Sequence, residues 1–204
     1  MKLYFSPAAC SLAVHIALRE AGVPVDLASV DLVKYQLADG SDYRAINPRG
    51  YVPLLELDDG SRHTEVSALL QYVAESVPQA QLLPAAGSGE RLQVLQWVTF
   101  IATELHKAFS PWLWHKETAD STRKAVKDKL ALRFADIEQA LVQREFVAGD
   151  RFTIADAYAF TILRWAPMLG ISLKPYPHVD AYLQRIAARP AVHAALLAEG
   201  LVKA

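Results

Sequence analysis

The sequence KLYFSPAACSLAVHIALREAG, residues 2–22, changes its hydrophobic period in the middle. Residues 2–5 form the short apolar run that is typical of a strand, whereas apolar residues beyond Cys10 recur with helical spacing until Gly22 ends the pattern. We therefore predict a strand that turns directly into a helix. Cys10, the only cysteine among 204 residues, lies at that turn.

Residues 25–77 extend this β-α unit. Alternation over residues 25–32 predicts a second strand, and NPRGYVPLLELDDGSRHT, residues 47–64, predicts a hairpin with an Asp-Asp-Gly turn. Helical spacing then runs from Glu65 and ends before Pro78. The resulting order, β-α-β-α-β-β-α, predicts a thioredoxin-like α/β domain with a mixed four-stranded sheet.

The chain changes character after Pro78. PQAQLLPAAGSG is rich in proline and glycine and carries no charge, which is typical of a connection between domains. Long helical patterns follow, and no convincing strand accompanies them. We predict a thioredoxin-like domain over residues 1–78, a linker over 79–89 and an all-helical domain over 90–204.

Composition limits the classes of partner and compartment. Hydrophobic residues make up 52% and charged residues 21%, as in ordinary globular proteins, and the formal net charge is -1. Scattered basic residues favour no nucleic-acid partner, and charges interrupt every long apolar stretch, so we expect no membrane span. A single cysteine and an N-terminus unlike a signal peptide predict a cytoplasmic location.

Cys10 is the first candidate for chemistry. A thiol at a strand-to-helix turn lies among unpaired N–H groups at the positive end of a helix dipole, and both favour the thiolate. Because no second cysteine exists, a resolving thiol must come from another molecule. The alternative is a small buried apolar residue without chemistry.

Two further positions point to a peptide-like ligand. Pro53 falls at the turn where thioredoxin-like folds usually carry a cis proline, which exposes the preceding backbone for pairing with an extended peptide. An ordinary trans proline at an edge strand is the alternative.

Thr64 is a candidate helix cap. Glu65, in the first helical turn, either interacts favourably with the helix dipole or binds the ammonium group of a ligand.

Six segments carry a resemblance that extends over essentially the whole chain: MKLYFSPAACSLAVHIALRE, AINPRGYVPLLELDDG, TEVSALLQYVAESVP, IATELHKAFSP, RFTIADAYAFTILRWA and RPAVHAALLAEGL. They resemble the glutathione transferases, most closely the bacterial beta class. The resemblance implies a homodimeric enzyme that conjugates glutathione to electrophilic apolar substrates. Glutathione acts as co-substrate, and no other cofactor or metal ion is implied.

The resemblance also assigns residues. Cys10 matches the cysteine that faces the glutathione sulfur, and His106 matches a histidine that either donates to a thiolate or takes a proton from a thiol. The implied glutathione contacts are Tyr35, Val52, Glu65, Val66, Thr99, Thr103, Glu104, His106 and Lys107, of which Thr103 and Glu104 reach the ligand of the neighbouring subunit. Four aromatic residues either line the pocket for the second substrate or pack in the core or an interface: Phe109, Trp112, Trp114 and Trp165.

Several positions depart from the class. Lysine is frequent in the class at the position of Tyr35, glutamine at Tyr51, glycine or serine at Val66, and asparagine at Thr99. A structural role is predicted for Thr153 and Asp156, which have the spacing of a capping box.

Two functions besides conjugation stay open. One is thiol–disulfide exchange through Cys10. The other is a non-catalytic binding module with the same fold, which the departures from the class leave open.

Overall fold

The computed structural model describes residues 1–203, and the chain divides into two compact units. One unit comprises residues 1–83 together with the segment that begins at Arg189, and the other comprises residues 84–188. Within the described residues, no helix combines the length and the apolar character that crossing a membrane requires.

The first unit is built on a mixed sheet. Its strands are β1 (Lys2–Phe5), β2 (Asp26–Asp31), β3 (Gln36–Leu37), β4 (Leu54–Glu56) and β5 (Arg62–Thr64). They are arranged in the order β3-β2-β1-β4-β5, with β1 and β2 parallel and the other neighbours antiparallel. Because a parallel pair needs a crossover connection, the predicted helix after β1, α1 (Ser11–Glu20), joins β1 to β2.

The sheet and the loop after β2 differ in detail from the prediction. The structure adds β3 to the four predicted strands, and β3 pairs with β2 through only two residues. Residues 38–50 form no second α-helix but contain a 3-10 turn, Tyr43–Ala45, in which the Asp42 carboxylate accepts from the N–H of Arg44. Asp, Ser, Asn, Gly and Pro are frequent in ADGSDYRAINPRG and favour turns over helix, which explains the difference.

Helices make up most of the remaining described residues. After α1 they are α2 (Val66–Ser76), α3 (Gly89–Phe100), α4 (Lys107–Phe109), α5 (Asp120–Leu141), α6 (Ile154–Leu163), α7 (Trp165–Met168), α8 (Pro177–Ala187) and α9 (Pro190–Ala198). A π-helical segment, Ile101–His106, connects α3 to α4. The second unit contains α3 to α8, in agreement with the predicted all-helical character of this part of the chain.

The last helix packs on the first unit. The sequence-based division places α9 in the helical domain, whereas α9 contacts α1 in the structure. The Arg189 guanidinium donates to both carboxylate oxygens of Glu20 at 2.7 and 2.8 Å. The buried Glu199 carboxylate is hydrogen-bonded to the imidazole of His15. These polar contacts over distant parts of the chain explain why helical periodicity alone did not assign α9 to this unit. The boundaries 1–78, 79–89 and 90–204 stay a prediction.

Asp156 organises the start of α6, a helix in which all ten residues are buried. Its carboxylate accepts from the N–H groups of Val147 and Thr153 at 2.9 Å and from the Tyr182 hydroxyl at 3.1 Å. The Thr153 hydroxyl oxygen accepts from the N–H of Ala155, so the predicted capping box is confirmed. Burial raises the pKa of Asp156 to about 6 despite the hydrogen bonds that favour the ionised form.

Candidate active site

Cys10 lies at the N-cap position of α1, and its side chain is half-buried. Its Sγ donates to the carbonyl oxygen of Val52 at 3.4 Å. The Val52–Pro53 peptide bond is cis, as predicted. The thiol therefore lies at the N-terminal end of α1, beside the backbone that is predicted to pair with a ligand.

Contacts on both sides hold the loop before α1. The N–H of Ser6 donates to Ser11 Oγ, and the Ser11 hydroxyl donates to the Ser6 carbonyl, both at 3.3 Å. Ala8 has a φ of 62°, which is unfavourable for a residue other than glycine, and its N–H donates to Glu199 Oε2 at 3.1 Å. Glu199 thus supports the backbone two residues before Cys10.

Glu65 takes a position different from the predicted one. It is itself the N-cap of α2, with a φ of 72°, so the interpretation of Thr64 as the cap is wrong. Its Oε1 accepts from the Tyr51 hydroxyl at 2.7 Å, and the Tyr51 oxygen accepts from Arg49 Nη1 at 2.9 Å. Sequence reasoning missed the hydrogen bond between Tyr51 and Glu65 because no local pattern links residues 14 positions apart.

Tyr35 stacks on Arg44 and lies close to Gly50 in the first unit. The central carbon of the Arg44 guanidinium lies 3.7 Å from the centroid of the Tyr35 ring, which is cation–π geometry. Gly50 has a φ of 71°, and a Cβ at that position would come within 2.7 Å of the same ring. Glycine is therefore required next to Tyr51, both by conformation and by space.

The helical unit gathers aromatic side chains around His106. Its Nδ1 lies 2.7 Å from the Tyr158 hydroxyl, and its ring meets Trp165 edge to face with centroids 5.2 Å apart. Phe109 and Trp114 also meet Trp165 edge to face, at 5.8 and 5.6 Å. The structure therefore brings together three of the four predicted pocket residues, with Phe109 and Trp165 buried.

Trp112, the fourth predicted pocket residue, is 47% exposed and makes none of these ring contacts. Its loop is held by Arg123, whose guanidinium donates to the carbonyls of Leu113, His115 and Thr118. Sequence reasoning missed Arg123, because an arginine on a polar helix face carries no local signal for loop contacts.

The remaining predicted ligand residues lie along α3, the π-helical segment and α4. The exposed Thr99 and Thr103 donate their hydroxyls to backbone carbonyls four residues earlier. Glu104 is ion-paired with Lys129 at 3.2 Å and Arg133 at 2.9 Å, and these hydrogen bonds lower the pKa of its carboxyl. Lys107 is exposed. π-Helical segments of this kind are frequent at functional sites.

Two family models match the chain. Residues 7–76 match the model of the glutathione S-transferase N-terminal domain, and residues 100–190 match that of the glutathione S-transferase C-terminal domain. Glutathione S-transferase GstA of Escherichia coli O157:H7 is 48% identical over 201 residues, which cover 98% of this chain and 100% of the relative. The chain therefore belongs to the glutathione S-transferase family.

Solved structures narrow the class within the family. A sphingomonad glutathione S-transferase complexed with glutathione is 42% identical, with a TM-score of 0.93, and the match covers 99% of this chain and 100% of the other. The bacterial beta-class glutathione S-transferase of Sphingomonas chungbukensis gives the same identity, TM-score and coverage. These likenesses confirm the predicted beta-class resemblance and the fold class.

Among residues 1–203, no group of three or more His, Cys, Asp or Glu side chains is arranged to hold a metal ion.

Proposed function

We propose that this protein is a glutathione transferase that bonds the glutathione sulfur to electrophilic, largely apolar substrates. The observation that carries the proposal is the Cys10 thiol 3.4 Å from the Val52 carbonyl, beside the cis bond to Pro53. An extended tripeptide that pairs with the Val52 backbone brings its central cysteine next to this thiol. Membership of the family supports glutathione as that tripeptide.

The first unit offers binding groups that complement the charged groups of glutathione. Its γ-glutamyl end carries an ammonium group and a carboxylate. In this proposal the Glu65 carboxylate binds the ammonium, and the first-turn N–H groups of α2, including that of Val66, bind the carboxylate. Val52 pairs with the cysteinyl part through its backbone, and Tyr35 contacts the peptide from the neighbouring loop.

The helical unit supplies the rest of the proposed site. His106 acts at the sulfur, and Phe109, Trp112, Trp114 and Trp165 form the apolar pocket for the electrophile. Thr99 and Lys107 contact glutathione, while Thr103 and Glu104 reach the ligand of the neighbouring subunit, so the proposal includes a homodimer. Its proposed setting is the detoxification of electrophiles in the cytoplasm.

Oxidised glutathione should add one glutathionyl group to the protein. The Cys10 thiolate attacks one sulfur of the disulfide, forms a mixed disulfide and releases the other half as glutathione thiolate. Intact-protein mass spectrometry measures the adduct, and calorimetry with reduced glutathione measures saturable binding. Cys10→Ser, which keeps the size of the side chain, serves as the control and should show no adduct.

Failure to form the adduct together with no binding heat would favour the non-catalytic binding module instead. Thiol–disulfide exchange is a second candidate function, supported by the position of Cys10 at the N-cap of α1. It is tested by assaying Cys10→Ala for conjugation and for exchange separately. Exchange at the parental rate in this variant would contradict a role for the thiol.

Tyr51→Phe should weaken glutathione binding roughly threefold to tenfold, since Glu65 loses the hydroxyl that orients its carboxylate. Calorimetric titration measures the dissociation constant. Tyr72→Phe is the matched control, because Tyr72 lies on α2 with 40% of its surface exposed and outside the proposed site. Equal affinities for Tyr51→Phe and the parent protein would show that Tyr51 does not position Glu65.

A further inference from the structure

Tyr158 places a buried hydroxyl against the proposed sulfur-binding histidine. The residue lies in α6 and is only 2% exposed. Its hydroxyl oxygen is 2.7 Å from Nδ1 of His106, which lies 52 residues earlier in the π-helical segment. A hydrogen bond this short between a buried hydroxyl and a half-buried imidazole is a strong constraint on the imidazole.

Two aromatic rings restrict the orientation of the same imidazole. The rings of His106 and Trp165 meet at 71°, and those of His106 and Tyr158 meet at 84° with centroids 5.9 Å apart. Trp165 is itself held edge to face by Phe109 and Trp114. The imidazole therefore has little freedom to turn Nδ1 away from the Tyr158 hydroxyl.

The direction of the hydrogen bond follows from the chemistry of its two partners. A phenol is a good donor and a weaker acceptor, whereas the unprotonated nitrogen of a neutral imidazole is a strong acceptor. This chemistry favours the Tyr158 hydroxyl as the donor and Nδ1 as the acceptor. A neutral histidine that accepts at Nδ1 carries its proton on Nε2, because only one ring nitrogen is protonated.

We propose that Tyr158 is a positioning residue that holds neutral His106 with its proton on Nε2, so that the histidine donates a hydrogen bond to the thiolate sulfur. The inference rests on the proposed function of His106 and selects between its two roles. With the proton already on Nε2, the histidine stabilises a thiolate through Nε2–H and does not take the thiol proton at that nitrogen. No proton is transferred in this role.

The tautomer of His106 tests the proposal directly. Nitrogen-15 NMR of the imidazole rings in the labelled full-length protein, at a pH where His106 is neutral, separates protonated from unprotonated ring nitrogens. His106→Gln assigns the signal among the six histidines by its disappearance. We expect Nε2–H in the parent protein and a mixture of the two tautomers in Tyr158→Phe, which keeps the ring and removes the hydroxyl.

Activity provides the second measurement. Tyr158→Phe should lower kcat roughly threefold to tenfold with little change in the KM for glutathione. The variant loses the orientation of the hydrogen bond from His106 to the thiolate sulfur, whereas the groups that bind the peptide are unchanged. Tyr176→Phe is the matched control: its hydroxyl donates to the Ala131 carbonyl, so its removal deletes one hydrogen bond without touching His106. This control should leave the tautomer unchanged and kcat near the parental value.

Two results overturn the proposal. An Nδ1–H tautomer in the parent protein contradicts it even if Tyr158→Phe fails to fold, and an unchanged tautomer in Tyr158→Phe contradicts it as well. Parental activity in His106→Gln is a separate result, which refutes the proposed role of His106 at the sulfur. The failure of the inference is thus distinguishable from the failure of the proposed function.

Discussion

Asp156→Ala is expected to lower the free energy of unfolding by about 4 kcal/mol, since it removes the acceptor for four buried donors. The N–H groups of Val147 and Thr153 and the hydroxyls of Thr153 and Tyr182 would then lie in the core without this partner. Their desolvation cost is the main term, because α6 is buried along its whole length and water does not replace the carboxylate. Urea denaturation measures the loss.

The control for Asp156 is a surface aspartate on a helix. Asp128→Ala breaks an ion pair with Lys124 in which both side chains are largely exposed, so it should cost less than about 1 kcal/mol. Similar costs for the two variants would mean that the buried network adds little to stability.

The pH dependence of the same site provides a second check. The pKa of Asp156 is about 6 in the folded protein and 3.8 ordinarily, so the folded protein holds a proton that the unfolded chain releases between these values. The stabilisation from this proton is complete below about pH 4 and is lost as the pH rises through about 6. The cost of Asp156→Asn should therefore be larger by about 1 kcal/mol at pH 5 than at pH 7.5.

Glu199→Ala should cost about 3 kcal/mol of stability and alter the reactivity of Cys10. The Glu199 carboxylate accepts from His15 Nδ1 at 2.9 Å, with both side chains inaccessible to solvent, and from the N–H of Ala8 at 3.1 Å. Its removal deprives a buried imidazole and a strained backbone residue of their common partner. Urea denaturation measures the first effect, and the rate of Cys10 alkylation by iodoacetamide measures the second.

The matched control for Glu199 is Glu20→Ala. It also removes a link between α1 and the C-terminal segment, namely the hydrogen bonds from Arg189. That pair is partly exposed and does not touch the loop before Cys10, so we expect about 1 kcal/mol and an unchanged alkylation rate. Equal effects of the two variants on alkylation would show that Glu199 does not position the loop.

Local signals explain which predictions were correct. The change of period in residues 2–22 predicted β1 and α1, and the spacing of Thr153 and Asp156 predicted the capping box that starts α6. Each signal depends on residues within one or two turns of each other. Ambiguous local signals led to wrong predictions: Glu65, and not Thr64, is the N-cap of α2, and a 3-10 turn replaces the helix predicted after β2.

For the candidate site, the sequence predicted which residues take part but not the hydrogen bonds that hold them. Resemblance placed Cys10, Glu65 and His106 in it, but their polar partners Glu199, Tyr51 and Tyr158 had no detectable pattern. His15 and Glu199 are 184 residues apart, and His106 and Tyr158 are 52 apart. No period or cap in the sequence connects such pairs.

The sequence by itself determined β1 and α1, the thiol at the start of α1 and the capping of α6, because periodicity and capping act between near neighbours. Only the tertiary structure decided that α9 packs on α1, that Glu199 supports the loop before Cys10 and that Tyr158 meets Nδ1 of His106. These contacts depend on how helices pack, and packing places polar groups from distant parts of the chain within hydrogen-bond distance.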